Sequence, residues 1–230
     1  MKAILLAAGL GTRLKPITNH LPKCLVPIGG RALLEIWIKK LEEIKVKTII
    51  INTHYLHLQV NNFIKKYHNN KKIKIKYEKV LLGTAGTLLK NIDLIKDSDC
   101  LFIHADNYCE DDLKKLIVAH KNRPKSCLLT MMVFKSTDSS LFGIVNIDKN
   151  RIVRNYFEKN KKAKGNLANA AIYVLSKKFL IKYKKEFKHA KNFSTDVLPF
   201  CINKIYVYKT NNKLIDIGTL KNYNLANKSL

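Results

Sequence analysis

The run Ala8-Gly9-Leu10-Gly11-Thr12-Arg13-Leu14 has the residue types to hold a polyphosphate. Its glycines let backbone N–H groups approach phosphate oxygens with no Cβ in the way, and the planar fork of Arg13 can grip β- and γ-phosphates. Lys23, in Leu21-Pro22-Lys23, adds a second and more movable positive charge. Two other phosphate loops are excluded. A dinucleotide fingerprint needs a third glycine where Leu14 stands, and a P-loop must end in Gly-Lys-Ser/Thr, which is absent. Further down the chain, carboxylates and small residues recur at Glu78, Gly83-Thr84-Ala85-Gly86, Asp106, Gly143, Glu158-Lys159, Asn169 and Asp216.

Placing these residues requires strands that end in loops. Hydrophobic runs predict strands over 2–7, 48–52, 73–77, 101–104 and 127–134, and helical spacing predicts helices over 33–44, 56–67, 84–89 and 110–120. Such alternation builds a mostly parallel sheet with helices on both faces, and the glycine loop follows the first strand, where such a sheet places its ligand crevice. Beyond about residue 135 the strands shorten and alternate: 143–147, 152–157, 168–175, 205–208 and 213–217, with helices at 177–184, 195–200 and from 220. No Pro-, Gly- or Ser-rich linker or repeat interrupts the chain. The expectation is one α/β domain over 1–230, Rossmann-like and doubly wound, with a smaller β region in its second half. Glu110-Asp111-Asp112 reads as a helix cap and first turn, where carboxylates offset the helix dipole.

Composition narrows the classes. No apolar run approaches the roughly 18–20 residues of a membrane span, and Met1 leads directly into the first strand, so a cytoplasmic protein without a signal peptide is expected. The five cysteines form no C-x-x-C pair and are expected to be reduced; His54 and His57 lack a third ligand at a recognisable offset. The net charge of +26 invites a nucleic-acid reading, but only five of the 43 basic residues are arginine and the lysines are scattered over the chain. A lysine-rich solvated surface that draws in anionic substrates is preferred, with no nucleic-acid partner.

The whole run from Lys2 to Pro27, with Pro16 and Pro22-Lys23-Cys24-Leu25-Val26-Pro27 at their spacing, resembles the sugar-1-phosphate nucleotidylyltransferase family, particularly its short mannose- or heptose-1-phosphate guanylyltransferase type. Leu82-Gly83-Thr84-Ala85-Gly86, His104-Ala105-Asp106-Asn107, Phe142-Gly143-Ile144-Val145, Phe157-Glu158-Lys159, Asn166 to Ala170 and Ile215-Asp216-Ile217-Gly218-Thr219 extend the resemblance to about Asn224. One departure is Cys24, where the family usually has proline. The resemblance implies a GT-A-like sheet whose residues 1–134 bind nucleotide and whose residues 135–230 bind sugar phosphate. It implies catalytic roles for Arg13 and Lys23, and nucleotide contacts at Leu6, Ala8, Gly9, Gly11, Thr12, Arg13, Glu78, Gly83, Thr84, Ala85 and Asp106. It assigns the sugar phosphate to Gly143, Glu158, Lys159 and Asn169, and Mg²⁺ to Asp106 and Asp216. A homodimer would also suit the family.

The implied reaction joins a nucleoside monophosphate from an NTP, GTP being favoured, to a sugar 1-phosphate with release of pyrophosphate. A phosphate oxygen is already ionised at neutral pH, so no general base is required, in keeping with the lack of a Ser-His-Asp set. Alternatives on the same fold are cytidylyl, uridylyl or thymidylyl transfer, or transfer to an alditol or choline phosphate. A non-catalytic homologue is disfavoured by the presence of both Asp106 and Asp216.

Overall fold

The computed structural model describes residues 1–67, 71–160 and 163–228. In chain order the strands are β1 (Lys2–Leu6), β2 (Pro27–Ile28), β3 (Arg31–Ala32), β4 (Ile49–Thr53), β5 (Ile73–Tyr77), β6 (Cys100–His104), β7 (Asn107–Cys109), β8 (Leu129–Lys135), β9 (Gly143–Ile147), β10 (Val153–Glu158), β11 (Leu167–Leu175), β12 (Ile205–Lys209) and β13 (Leu214–Asp216). The helices are α1 (Leu33–Glu43), α2 (His57–Tyr67), α3 (Gly83–Lys90), α4 (Leu113–Lys121), α5 (Lys177–Glu186), α6 (Phe193–Asp196) and α7 (Leu220–Lys228). The chain divides into two compact units. The first holds Met1–Leu81, Ile103–Glu110 and the chain from Asn212 on; the second holds Leu82–Phe102 and Asp111–Asn211.

In the first unit β1, β4 and β5 run parallel, with Ala3 opposite Ile49 and Ile49 opposite Ile73. Ala3, Ile4 and Leu5 are fully buried, as an interior parallel strand covered on both faces requires. The end of β6 lies beside β1, where the Ala105 N–H donates to the Leu6 carbonyl at 3.1 Å. Helix α1 buries Leu33, Leu34, Trp37, Ile38 and Leu41, one stripe at helical spacing. Trp37 also donates its indole N–H to the Asn107 carbonyl at 2.9 Å, which fixes β7. β7 in turn pairs antiparallel with β13. β13 falls inside the strand expected over 213–217, but β7 and its pairing were not expected, because three residues carry too little pattern to be read.

The second unit is mostly antiparallel. β11 pairs with β8 and β9, and β10 with β9, while β12 joins β8 in parallel. An aromatic cluster fills its core: Phe193 lies 5.0 Å from Phe102 and 5.1 Å from Tyr173, ring centre to ring centre. The expected α/β class is what the chain adopts, with parallel β1, β4 and β5; the strands of the second unit are not shorter as expected, since β8 spans seven residues and β11 nine against five in β1, β4 and β5. Two local expectations are corrected. The helix over 195–200 is a short α6 followed by a 3₁₀ turn at Leu198–Cys201; the break falls at Val197, φ −123°, and Pro199 has no N–H to continue the α-helical ladder. Of the three acidic residues at 110–112, only Asp112 caps α4, accepting from the Lys114 N–H; Asp111 is buried and accepts from the Tyr208 hydroxyl at 2.9 Å.

Two features carry stability predictions. The β11–β8 register shifts between Asn169 and Tyr173, and Ala171 sits in this bulge at φ 53° with its N–H on Asn169 Oδ1 at 2.9 Å. An L-residue there costs roughly 1–2 kcal/mol, against which the extra unfolded-state freedom of glycine is about 0.4–1. Ala171→Gly is therefore expected to stabilise the fold by about 0.5–1 kcal/mol, read as a raised urea midpoint. The second feature is His120, 1% exposed, with Nδ1 on Thr130 Oγ1 at 2.8 Å and Nε2 3.6 Å from Asp99 Oδ2. Burial pushes it below its ordinary 6.5, more than the Asp99 carboxylate raises it. The unfolded chain then takes up a proton near pH 6.5 while the folded one does so only at lower pH. Stability is thus full above that value and falls as pH drops beneath it. Urea midpoints should decline from pH 7.5 to 5.5, and less steeply in His120→Gln; parallel declines would exclude His120 as the cause.

Candidate active site

β1 delivers the glycine turn at its C-terminal end. Asn52, buried at the end of β4, accepts from the Ala7 N–H through Oδ1 at 2.8 Å and donates through Nδ2 to Glu78 Oε1 at 3.1 Å. The start of the turn is therefore held from below by a buried polar pair. Gly11 takes φ 66°, and a Cβ there would come within 2.8 Å of Thr18 Cγ2 and 3.3 Å of Lys23 Cβ, so only glycine permits the approach. Thr18 answers by donating its hydroxyl to the Gly11 carbonyl at 2.7 Å. The Thr18 segment is itself tied down by Tyr55, whose hydroxyl lies 2.9 Å from the Thr18 carbonyl and 3.0 Å from that of Asn19. Gly9 has nothing within 4 Å of where its Cβ would be, and Gly9, Thr12 and Arg13 are exposed. The turn is rigidly mounted and open.

The β7–β13 ladder places Asp216 opposite Asn107, next to Asp106, across more than a hundred residues of sequence. Lys23 joins them. Its ammonium donates to Asp106 Oδ2 at 2.8 Å and Asp216 Oδ1 at 3.3 Å, with its side chain only 7% exposed. The Arg13 guanidinium reaches to 3.7 Å from Asp216 Oδ2 and is otherwise mostly exposed. Desolvation pushes the Asp106 carboxyl up, but Lys23 first and His104 second outweigh it and hold it below the usual carboxylate range. A second glycine matters here. A Cβ on Gly218 would fall 2.7 Å from Arg13 Nη2 and 2.9 Å from Asp216 Oδ1, so the bare backbone makes room for the pair, and the Gly218 N–H donates to Asp216 at 2.8 Å. The motif Ile215-Asp216-Ile217-Gly218-Thr219 shows the glycine in the sequence but not this role, which depends on Arg13 folding against it.

These residues have the donors for a divalent cation. Two carboxylates already share one cationic group, and oxygen ligands suit a hard ion whose remaining positions are filled by phosphate and water. Cys24, beside Lys23, is buried, and burial above all pushes its thiol up to about 12, which disfavours the thiolate. All five cysteines are buried and unpaired, as expected. His54 bonds the Glu78 carbonyl at 2.8 Å and His57 lies against the Tyr77 ring.

In the second unit Gly83 opens α3 at φ 75°, and a Cβ there would strike the Lys191 carbonyl. That carbonyl accepts from the Ala85 N–H at 2.9 Å, Thr84 Oγ1 accepts from the Phe193 N–H at 2.7 Å, and the Ala85 carbonyl accepts from the Tyr183 hydroxyl at 3.0 Å. Gly83 and Thr84 remain partly exposed while Ala85 is fully buried with both backbone groups occupied. The remaining landmarks gather around β10. Glu158 stands opposite Gly143 in the β10–β9 register, and Lys159 follows, exposed, at φ 45° with its N–H on the Phe142 carbonyl. Asn169 lies nearby on β11, with its Nδ2 on the Tyr173 hydroxyl at 2.7 Å.

A family model described as nucleotidyl transferase matches residues 2–230. The chain belongs to the nucleotidyl transferase family. A D-glycero-alpha-D-manno-heptose 1-phosphate guanylyltransferase of Campylobacter jejuni is 31% identical over 229 residues, 97% of each chain. The catalytic subunit beta of a Dictyostelium discoideum mannose-1-phosphate guanylyltransferase is 32% identical over 76% of this chain and 50% of its own. Among solved structures, HddC from Yersinia pseudotuberculosis superposes with a TM-score of 0.81 at 30% identity, covering 99% of this chain and 98% of that one. Family members differ in base and sugar, and relatives named as adenylyltransferases and bifunctional GlmU proteins also match. This nucleotidyl transferase spans 63% of the length of a Sulfolobus acidocaldarius relative at 31% identity. Among its described residues no helix is long and apolar enough to cross a membrane.

Proposed function

We propose that the protein transfers a nucleoside monophosphate, GMP by preference, from an NTP to a mannose- or heptose-type 1-phosphate, giving an NDP-sugar and pyrophosphate for surface-polysaccharide precursors. The observation that carries this is the ammonium of Lys23 gripped by Asp106 and Asp216 beside the open Gly9–Arg13 turn. The guanine preference and the sugar class rest on the named relatives.

In the proposed reaction a sugar-phosphate oxygen attacks the α-phosphorus, a new P–O bond forms, and the bond from that phosphorus to the bridging oxygen of the β-phosphate breaks. Pyrophosphate leaves with the electron pair. The obstacle is repulsion between polyanions, roughly 4 kcal/mol per pair of unit charges about 4 Å apart at an effective dielectric of 20. Arg13 and Lys23 offset it on the triphosphate, and the turn's backbone N–H groups hold the phosphates in place. Asp106 and Asp216 are the residues that would hold magnesium. Bound there, it would supply a hard double charge to the phosphate oxygens. Glu158, Asn169 and the Gly143 backbone are assigned to the sugar, and Lys159 to its phosphate.

Incubating the protein with each of the four common NTPs, Mg²⁺ and a panel of sugar 1-phosphates, then weighing products and measuring pyrophosphate, tests the reading. GTP with a manno-configured acceptor should give the fastest release. Release with another NTP alone would move the base assignment, and none from any pair would overturn the activity.

A further inference from the structure

We propose that Tyr156 is a positioning residue for acceptor choice: its hydroxyl ties down one oxygen of the Glu158 carboxylate over Gly143, so that the other oxygen meets the sugar from a fixed direction. This rests on the assignment of Glu158 to the sugar. Tyr156 and Glu158 are two apart on β10 and so share a face, and the Tyr156 hydroxyl donates to Glu158 Oε2. Among the described residues that is the hydrogen bond the carboxylate receives.

The surroundings are built around this contact. A Cβ on Gly143 would sit 2.7 Å from Glu158 Oε2 and collide with the Tyr156 hydroxyl, so the pair can lie against β9 only because residue 143 has no side chain. On the other side, Asn169 is held at both ends, its Nδ2 donating to the Tyr173 hydroxyl and its Oδ1 accepting from the Ala171 N–H in the β11 bulge. Burial, followed by the neighbouring Tyr173 and Glu158, pushes the Tyr156 hydroxyl far above its ordinary range, which keeps it a proton donor at any working pH. The phenol and the carboxylate thus form a pair packed against the bare backbone of Gly143.

An untethered carboxylate has two equivalent oxygens and can turn to meet hydroxyls of different orientation. Tethering removes that tolerance. A sugar whose hydroxyl points elsewhere leaves the acceptor oxygen unpaired, and such sites reject the wrong substrate strongly.

The test compares wild type, Tyr156→Phe, Gly143→Ala and Glu158→Gln by steady-state kinetics with both substrates varied. Losing a hydrogen bond to a charged group should raise the KM for the sugar 1-phosphate about tenfold in Tyr156→Phe. The KM for the NTP should stay within about twofold, and the kcat/KM ratio between the best acceptor and its epimer should fall by about fivefold or more. Gly143→Ala, which displaces the hydroxyl sterically, should show the same split. A wild-type sugar KM and epimer ratio in Tyr156→Phe, or an NTP KM that rises in step, would overturn the proposal. If Tyr156→Phe alone is silent while Glu158→Gln raises the sugar KM, only the role of Tyr156 falls; if both are silent, the assignment of Glu158 to the sugar fails and takes the proposal with it.

Discussion

Lys23→Ala is expected to lower kcat by about 10²–10³, the scale of losing one preorganised donor to transition-state charge. The size follows from where Lys23 sits. It is almost wholly buried and shared between Asp106 and Asp216, so its removal takes a cation from the phosphates and also leaves two carboxylates facing each other. The second effect lowers stability modestly, because two part-exposed carboxylates then repel with no cation between them. Turnover should therefore be compared well below the variant's thermal midpoint, by pyrophosphate release at saturating substrates. Lys23→Arg should rescue little: a rigid fork cannot place one nitrogen between two carboxylates as a compact ammonium does. Near-wild-type kcat in a folded Lys23→Ala protein would remove the residue from the catalytic set.

The second large effect is expected in Asp106→Asn. The amide keeps the shape of the side chain but loses the charge, so the Mg²⁺ concentration for half-maximal turnover should rise by at least about tenfold, the lower scale seen when metal-site partners are disturbed. Manganese titration of the protein with bound nucleotide, followed by electron paramagnetic resonance, reads the same change without turnover. An unchanged titration in both assays would take Asp106 out of the metal site and leave its ion pair with Lys23 as a structural contact.

The glycine turn was legible in the sequence because its pattern is local. Gly9, Gly11 and Arg13 lie within one turn after an uninterrupted apolar strand, and the coordinates show that turn open. The proximity of Asp106 and Asp216 was anticipated only through the resemblance. No local periodicity reports it, since it depends on two three-residue strands and on Trp37 pinning one of them. Glu78 shows another limit: its type and position could be read, but its burial against Asn52 could not, because that requires β4 and β5 in register. Tyr156 was missed although a signal existed, a hydroxyl donor two residues before Glu158 on a predicted strand and so on the same face. Asp111 misled because an acidic run before a helix usually caps it, and here a Tyr208 hydroxyl captured one member.

The β7–β13 pairing also sets a time before which the charged centre cannot form. On a ribosome, the glycine turn, Lys23 and Asp106 all emerge long before Asp216, and the small ladder that seats the last carboxylate cannot close until residues 214–218 are out of the exit tunnel. A nascent chain can fold most of its parallel sheet while lacking half of its carboxylate pair, so the first unit's charged centre assembles only after β13 has emerged.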